Sequence, residues 1–256
     1  MRPDPREIGT WIRNRVSAAG ADGLVVGLSG GIDSAVVARL SQVAMPDRTV
    51  AVLLPCHGDP LDESDARLVA NHFRLPLITI RLEAAYDRLI ADLQEGLAQL
   101  SRAPARAPVD DADLSARVPL ANVKPRLRMT ALYFIANSLN YLVVGTGNRS
   151  ELTIGYFTKH GDGGADVLPI GNLLKSEVTS LARELDVPER IIEKPPGAGL
   201  WLGQTDEAEM GFSYAELERY LEEGPDAVAP ALALRVERLV RLSEHKRSMP
   251  PTPDDE

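Results

Sequence analysis

The string Gly27-Leu28-Ser29-Gly30-Gly31-Ile32-Asp33-Ser34 is where residue type and spacing point most directly to chemistry. Glycines let a backbone turn sharply and bring its N–H groups close to an anion. The helix-forming run Ala35, Val36, Val37 and Leu40 comes next, so a helix N-terminus, with its partial positive charge, faces the same place. That combination predicts a phosphate site. It is not a Walker A loop, because Ile32 and Asp33 stand where that loop needs a lysine to reach the outer phosphates. An acidic side chain beside phosphate requires a cation between them, so Asp33 is a candidate Mg²⁺ ligand. The plainer alternative is a strand-to-helix turn capped by Asp33 or Ser34.

Further charged residues downstream are open to two readings. Glu151, five residues after Thr146 and just past a second glycine turn, is either a solvated helix carboxylate or a partner of Asp33 around the cation. Lys159, Asp162 and Asp166 lie in a glycine-rich stretch without packing periodicity, which is either surface loop or functional loop. Lys175 is an exposed helix lysine or an anion-facing one. Arg126 and Arg128 are solvated helix charges or bidentate ligands for phosphate or carboxylate. His245-Lys246 reads as an exposed helix end. Cys56 and His57 have no supporting partner in the sequence and are left out of the site.

These residues need a scaffold to bring them together. Asp4-Pro5 predicts a capped helix carrying Ile8, Trp11, Ile12 and Val16. Buried strands are expected over 24–28, 50–54, 77–80 and 141–144, with helices over 62–73, 126–139 and 152–157. The last two helices carry Met129, Leu132, Tyr133, Phe134, Ile154, Tyr156 and Phe157, more apolar surface than one helix face needs, and any part left exposed marks an interface. The segment 103–119, rich in Pro, Ala and Asp, predicts a mobile surface loop. Strands alternating with helices imply a Rossmann-like three-layer α/β/α fold with a mainly parallel, five-stranded sheet. In such sheets ligands sit beyond the carboxyl ends of the strands, near a switch in strand order. Both glycine turns belong to that edge.

Bulk properties narrow the classes. With 28 basic and 37 acidic residues, the net charge of −9 argues against coating nucleic acid or an anionic membrane surface. No apolar run is long enough to span a bilayer and the N-terminus lacks a signal-peptide core, so a cytoplasmic protein is expected. A single cysteine excludes an intrachain disulfide and a multi-cysteine metal site. One domain over 1–247 and an acidic, disordered tail over 248–256 are expected.

The phosphate-loop string resembles that of the ATP pyrophosphatases, which join AMP to a substrate oxygen and release pyrophosphate. The downstream strings narrow the resemblance to the NAD synthetase family. Asn122-Val123-Lys124-Pro125-Arg126-Leu127-Arg128-Met129 is similar to its Asn-x-Lys-Ala-Arg-x-Arg-Met segment. Gly145-Thr146-Gly147-Asn148-Arg149-Ser150-Glu151 resembles Gly-Thr-Gly-Asn-x-x-Glu, and residues 157–166 resemble Phe-Thr-Lys-x-Gly-Asp-Gly-x-x-Asp. Lys175 falls where the family has a lysine opening a helix. Residues 194–201 and Gly203-Gln204-Thr205-Asp206-Glu207 complete the match, in order, between about residues 23 and 247.

The resemblance implies that Gly27 to Ser34, Thr146 and Lys175 contact ATP, and that Asp33 and Glu151 hold Mg²⁺. It further implies that Arg126, Lys159, Asp166, His245 and Lys246 contact deamido-NAD, that Asp33, Lys175 and Glu151 are catalytic, and that the protein is a homodimer. The implied reaction converts the nicotinate carboxylate of deamido-NAD to the amide, with ATP and ammonia. Free ammonia is the expected donor, because the resemblance fills the chain and Cys56 lies inside it, leaving no glutamine-hydrolysing domain. One departure stands out: Gly197 replaces a Ser or Thr that contacts ATP, a hydrogen bond whose loss costs roughly 1.5–3 kcal/mol. Two other classes compete, a tRNA-modifying pyrophosphatase and a non-catalytic ATP sensor. The acidic charge weighs against the first, and the joint presence of Glu151, Lys159, Asp166 and Lys175 against the second.

Overall fold

The computed structural model describes residues 4–100, 114–197, 199–201 and 204–253. Helix α1 (Pro5–Ala18) starts as its sequence requires: Asp4 accepts from the Arg6 amide at 2.7 Å, with Pro5 in the first turn. Then come β1 (Gly23–Gly27), α2 (Ile32–Ala44), β2 (Thr49–Leu53), α3 (Pro60–Phe73), β3 (Leu77–Thr79) and α4 (Glu83–Ala98). The chain continues through α5 (Leu114–Ala121), α6 (Val123–Leu139), β4 (Tyr141–Val144), α7 (Arg149–Ile154), α8 (Lys175–Glu184) and α9 (Glu189–Ile192). It closes with α10 (Asp206–Met210), α11 (Tyr214–Glu223), α12 (Pro230–Leu242) and α13 (Glu244–Arg247).

The four strands are parallel in the order β3-β2-β1-β4. Period-two alternation sorts their side chains onto two buried faces. Leu24, Val26, Ala51, Leu53 and Val144 enter a core with α1, α2, α3, α8 and α9. Val25, Val52 and Val143 enter a second core with α6 residues such as Ile135 and Ala136. A third cluster joins Ile154 of α7 to Met210, Phe212, Tyr214, Leu217 and Val236, and so ties the C-terminal helices to the sheet layer.

Three expectations are corrected. The fifth strand reduces, among the described residues, to a single parallel bridge, Val144 with Val167. Pro169 follows two residues later, and a residue without an N–H cannot extend a ladder. Of the expected loop over 103–119, residues 103–113 lie outside the described residues and 114–119 fall within α5. There Pro119 masks a helix that runs almost directly into α6. The helix carrying Glu151 stops at Ile154, because Gly155 takes a left-handed φ of 70°.

Strand order places β2 and β3 on one side of β1 and β4 on the other. The chain leaves β1 outward, then returns to β4, and the crevice between the carboxyl ends of β1 and β4 is the switch point.

Candidate functional site

The turn after β1 is held by its own hydroxyls. Ser34 Oγ accepts from the Ser29 amide at 3.2 Å, lies 3.0 Å from Ser29 Oγ, and donates to the Gly31 carbonyl at 2.9 Å. Gly30 has φ +82°, and a Cβ there would lie 2.4 Å from the Asp62 carbonyl oxygen, so only glycine fits. Gly31 is the N-cap of α2 and offers no side chain to the first-turn amides. Those amides therefore face the crevice as anion donors.

The turn after β4 ends in Asn148, the N-cap of α7. Its side chain accepts from the Glu151 amide at 3.0 Å, and Glu151 Oε2 accepts from the Asn148 amide at 3.2 Å. This reciprocal cap fixes Glu151 from its own backbone. The Asn148 side-chain amide also donates to Asp33 Oδ1 at 3.0 Å, which stitches the two turns together. Lys175 opens α8 with its side chain only 8% exposed. Its Nζ donates to Asp33 Oδ2 and sits 3.5 Å from Glu151 Oε1. Residues far apart in sequence thus form one buried cluster of two carboxylates and an ammonium.

The electrostatics follow from burial. Desolvation, and then the nearby Asp33 charge, push Glu151 up to about 8. Burial pulls Lys175 down, but Asp33 and Glu151 together outweigh it and hold the ammonium above the usual lysine range. The Lys175 ammonium balances the two carboxylates, whose hard oxygens are of the type that could also hold a divalent cation. Among the described residues no group of three or more His, Cys, Asp and Glu forms a metal cage.

A cavity of ≈ 580 Å³ opens over this cluster. Its lining includes the β1 turn, Thr146, Glu151, Lys175, Arg128, Asp162 and Lys246. Arg128 donates from Nε to the Leu54 carbonyl at 3.2 Å, and burial pulls its guanidinium down. Cys56 also lines the cavity, and burial pushes its thiol up, so it stays protonated and unreactive.

The residues implied for the dinucleotide divide into three groups. Lys246 lines the cavity, half-buried, and donates to the Gly155 and Phe157 carbonyls at 2.7 Å each. The exposed-end reading therefore fails for Lys246, while His245 beside it is exposed. Arg126 donates to the Lys159 carbonyl at 3.3 Å and Lys159 Nζ to the His245 carbonyl, so these three gather in one basic group outside the cavity lining. Asp166 has both oxygens engaged elsewhere, accepting from Tyr133 OH at 3.0 Å and from the Val143 amide at 2.7 Å. Burial and Asp166 push Tyr133 up to about 12.

The structure adds residues that sequence reasoning left out. His57 does have a partner: its Nε2 lies 2.8 Å from Asp87 Oδ1, and its carbonyl accepts from Lys124 Nζ at 3.0 Å. Asp87 lies on α4, for which no element was expected. Lys194 Nζ donates to Asp62 and Asp65 at 2.7 Å each, anchoring the end of its loop to α3. Asn148 was quoted only as part of a string, although Asn three residues before Glu is itself a capping-box signal. At Gly197 a Cβ would lie 2.7 Å from the Gln204 carbonyl oxygen, so the departure from Ser or Thr accompanies a close backbone approach.

A parallel α/β sheet with a phosphate-type turn and a carboxylate–lysine cluster at its switch point defines the class of this protein. The family model described as NAD synthase matches residues 5–250, and the chain belongs to that family. A protein of Carboxydothermus hydrogenoformans named NH(3)-dependent NAD(+) synthetase is 49% identical over 243 residues, covering 95% of this chain and 93% of that one. Its namesake in Syntrophomonas wolfei is 44% identical over 241 residues, covering 94% and 91%. Among solved structures, the NMN synthetase of Francisella tularensis superposes with TM-score 0.84 at 37% identity, covering 98% of this chain and 99% of that one.

Proposed function

We infer that this chain catalyses ATP-dependent amidation of deamido-NAD by ammonia, giving NAD, AMP and pyrophosphate. The observation that carries the reading is the Lys175 ammonium between Asp33 and Glu151, beside a phosphate-type turn in a chain of this family. A carboxylate is a poor acyl donor because oxide would have to leave. Its oxygen instead attacks the α-phosphorus of ATP, the bond to the β-phosphate breaks, and pyrophosphate departs. Ammonia then attacks the adenylated carbonyl, AMP leaves with the original carboxylate oxygen, and the nitrogen loses a proton.

The residues act by position and charge. The turn amides that the Ser29 and Ser34 hydroxyls do not engage, with the α2 N-terminus, hold the phosphates, and Thr146 lines the same cavity. Lys175 takes up charge on the departing pyrophosphate. Asp33 and Glu151 would hold Mg²⁺, whose chemistry is to neutralise the phosphate oxygens. Lys246 in the cavity, with Arg126, Lys159 and His245 in the basic group outside it, serves the dinucleotide. Asp166 acts beside them by fixing Tyr133. Holding carboxylate and α-phosphate together contributes much of the remaining acceleration.

Incubation with ATP, Mg²⁺, ammonium and deamido-NAD, followed by chromatography, tests the reading; no AMP or NAD sinks it. A parallel arm with the nicotinate mononucleotide is warranted by the likeness to the NMN synthetase. Faster turnover of the mononucleotide makes that the substrate.

Glutamine is not expected to replace ammonium for the isolated chain. Turnover on ammonium should rise with pH, because NH₃ and not NH₄⁺ attacks. Efficient glutamine-driven synthesis would reverse the assignment of nitrogen donor.

The chain functions as a cytoplasmic homodimer built from one domain over 1–247, without nucleic-acid or membrane partners. Among the described residues no helix is long and apolar enough to cross a membrane. The apolar face that supports a dimer differs from the one expected. Ile154 is buried, and Met129, Leu132 and Tyr133 are half-buried, leaving Phe134 of α6 exposed at 74%. Beside α6, α4 has no buried residue and exposes Leu89, Leu93 and Leu97 along one side. An apolar stripe of this kind marks an interface. Light scattering at micromolar concentration should give about twice 27.7 kDa. A fully active monomer overturns the dimer.

A further inference from the structure

The C-terminal helices reach the catalytic cluster through one side chain. Tyr214 is the first residue of α11, and its ring lies in the third apolar cluster, 6% exposed. Its backbone position is fixed twice: Ser213 caps α11 through a capping box with Glu216, and the Tyr214 amide donates to Glu207 of α10 at 2.9 Å. The hydroxyl lies between two carboxylates, 2.9 Å from Asp206 Oδ2 and 3.3 Å from Glu151 Oε1, and shares its single proton between them. Lys175 Nζ stands 5.1 Å from the centre of the same ring.

Glu151 is held asymmetrically. The Asn148 amide fixes Oε2, whereas Oε1, the oxygen on the Lys175 side, has among the described residues Tyr214 OH and Lys175 Nζ against it. Asp206 lines the cavity at 4% exposure, and its second oxygen has no hydrogen-bond partner among the described residues. Asp206 Oδ2 holds the Tyr214 hydroxyl at 2.9 Å, and that bond sets the direction of the hydroxyl.

We propose that Tyr214, aimed by Asp206, is the positioning residue that orients Glu151 Oε1 for cation binding beside Asp33. This rests on reading Glu151 as a cation-facing carboxylate. Tyr214 is not among the residues that line the cavity, and it acts through Glu151, which is. A hydrogen-bond partner that turns a metal-binding carboxylate is worth about 10–100-fold in metal affinity or activity. The relay also continues outward. Gln204 donates to Glu209 at 2.8 Å, Tyr156 OH donates to the same oxygen at 2.7 Å, and the Leu200 amide donates to Gln204. The helix that carries Asp206 is thereby tied to the chain segment over the cavity.

Tyr214→Phe keeps the ring in its apolar cluster and removes only the hydroxyl. Binding of Mn²⁺ in the presence of ATP, without dinucleotide and hence without turnover, is read from the EPR signal of free Mn²⁺. The expected result is about tenfold weaker Mn²⁺ binding in Tyr214→Phe, with kcat reduced at low Mg²⁺ and largely recovered at high Mg²⁺. Asp206→Asn should weaken Mn²⁺ binding in the same direction, and the double variant should be no worse than Tyr214→Phe alone. Unchanged Mn²⁺ affinity in Tyr214→Phe, or additive losses in the double variant, overturns the proposal. A wild-type chain that binds Mn²⁺ with ATP but does not amidate deamido-NAD overturns the proposed function instead, and the Mn²⁺ comparison still decides the role of Tyr214.

Discussion

Asp33→Asn should lower kcat by about 10²–10³, the scale of losing one interaction made to charge developing in the transition state. The substitution keeps the shape of the side chain and removes its charge. Asp33 now accepts from Asn148 Nδ2 through one oxygen and from Lys175 through the other. An amide can keep one of these contacts but cannot serve as an anionic ligand. The fold should survive, because Asp33 stands in the first turn of α2 at the crevice and not in the apolar cores. Steady-state turnover with ATP, Mg²⁺ and ammonium, alongside a thermal melt, checks both parts. Near-wild-type turnover at ordinary Mg²⁺ removes Asp33 from the mechanism.

Much of that environment was legible in the sequence, for a reason that can be traced. The β1 turn is local: three glycines, two serines and an aspartate within eight residues dictate a shape that no distant contact has to supply. The parallel sheet was legible because strands buried on both faces read as unbroken apolar runs. Helix α4 was not legible, since none of its residues is buried and an exposed leucine stripe gives no contrast with a core. The fifth strand was expected from the fold class without a segment to carry it, and among the described residues a single bridge, Val144 with Val167, stands in its place.

The site shows the same division. Asp33, Glu151 and Lys175 were named, but their convergence is a property of the switch point, which brings together residues more than a hundred positions apart. Asp206 entered only as part of the Gly203-Gln204-Thr205-Asp206-Glu207 string, with no role assigned to it, and Tyr214 carried no local signal of function. A tyrosine after a serine cap looks like ordinary helix start, and only packing of α11 against α7 puts its hydroxyl at Glu151. Asp166 went the other way. Its dinucleotide contact was implied by the family resemblance, and in the structure a backbone amide of β4 and a tyrosine bond its two oxygens.

Lys175→Met should be the most damaging single change, because it removes a counter-charge as well as a catalytic one. Methionine fills most of the lysine volume, so packing is nearly preserved and the effect is electrostatic. Asp33 and Glu151 would be left facing each other in a buried cluster without the ammonium between them. Removing one partner of a buried ionic group costs about 3–5 kcal/mol, since the uncompensated charge stays behind. For a chain of this size that corresponds to a melting temperature lower by on the order of 10 °C. Turnover should fall by at least about 10³, beyond the loss of Asp33→Asn, because charge on the departing pyrophosphate loses its ammonium. The double variant Lys175→Met with Asp33→Asn separates the two roles. Neutralising Asp33 removes the repulsion, so most of the melting temperature should return while turnover stays at the level of the single lysine variant. Calorimetry and single-turnover kinetics on the three variants read this directly. A double variant no more stable than Lys175→Met shows that the lysine is held by packing and not by its charge.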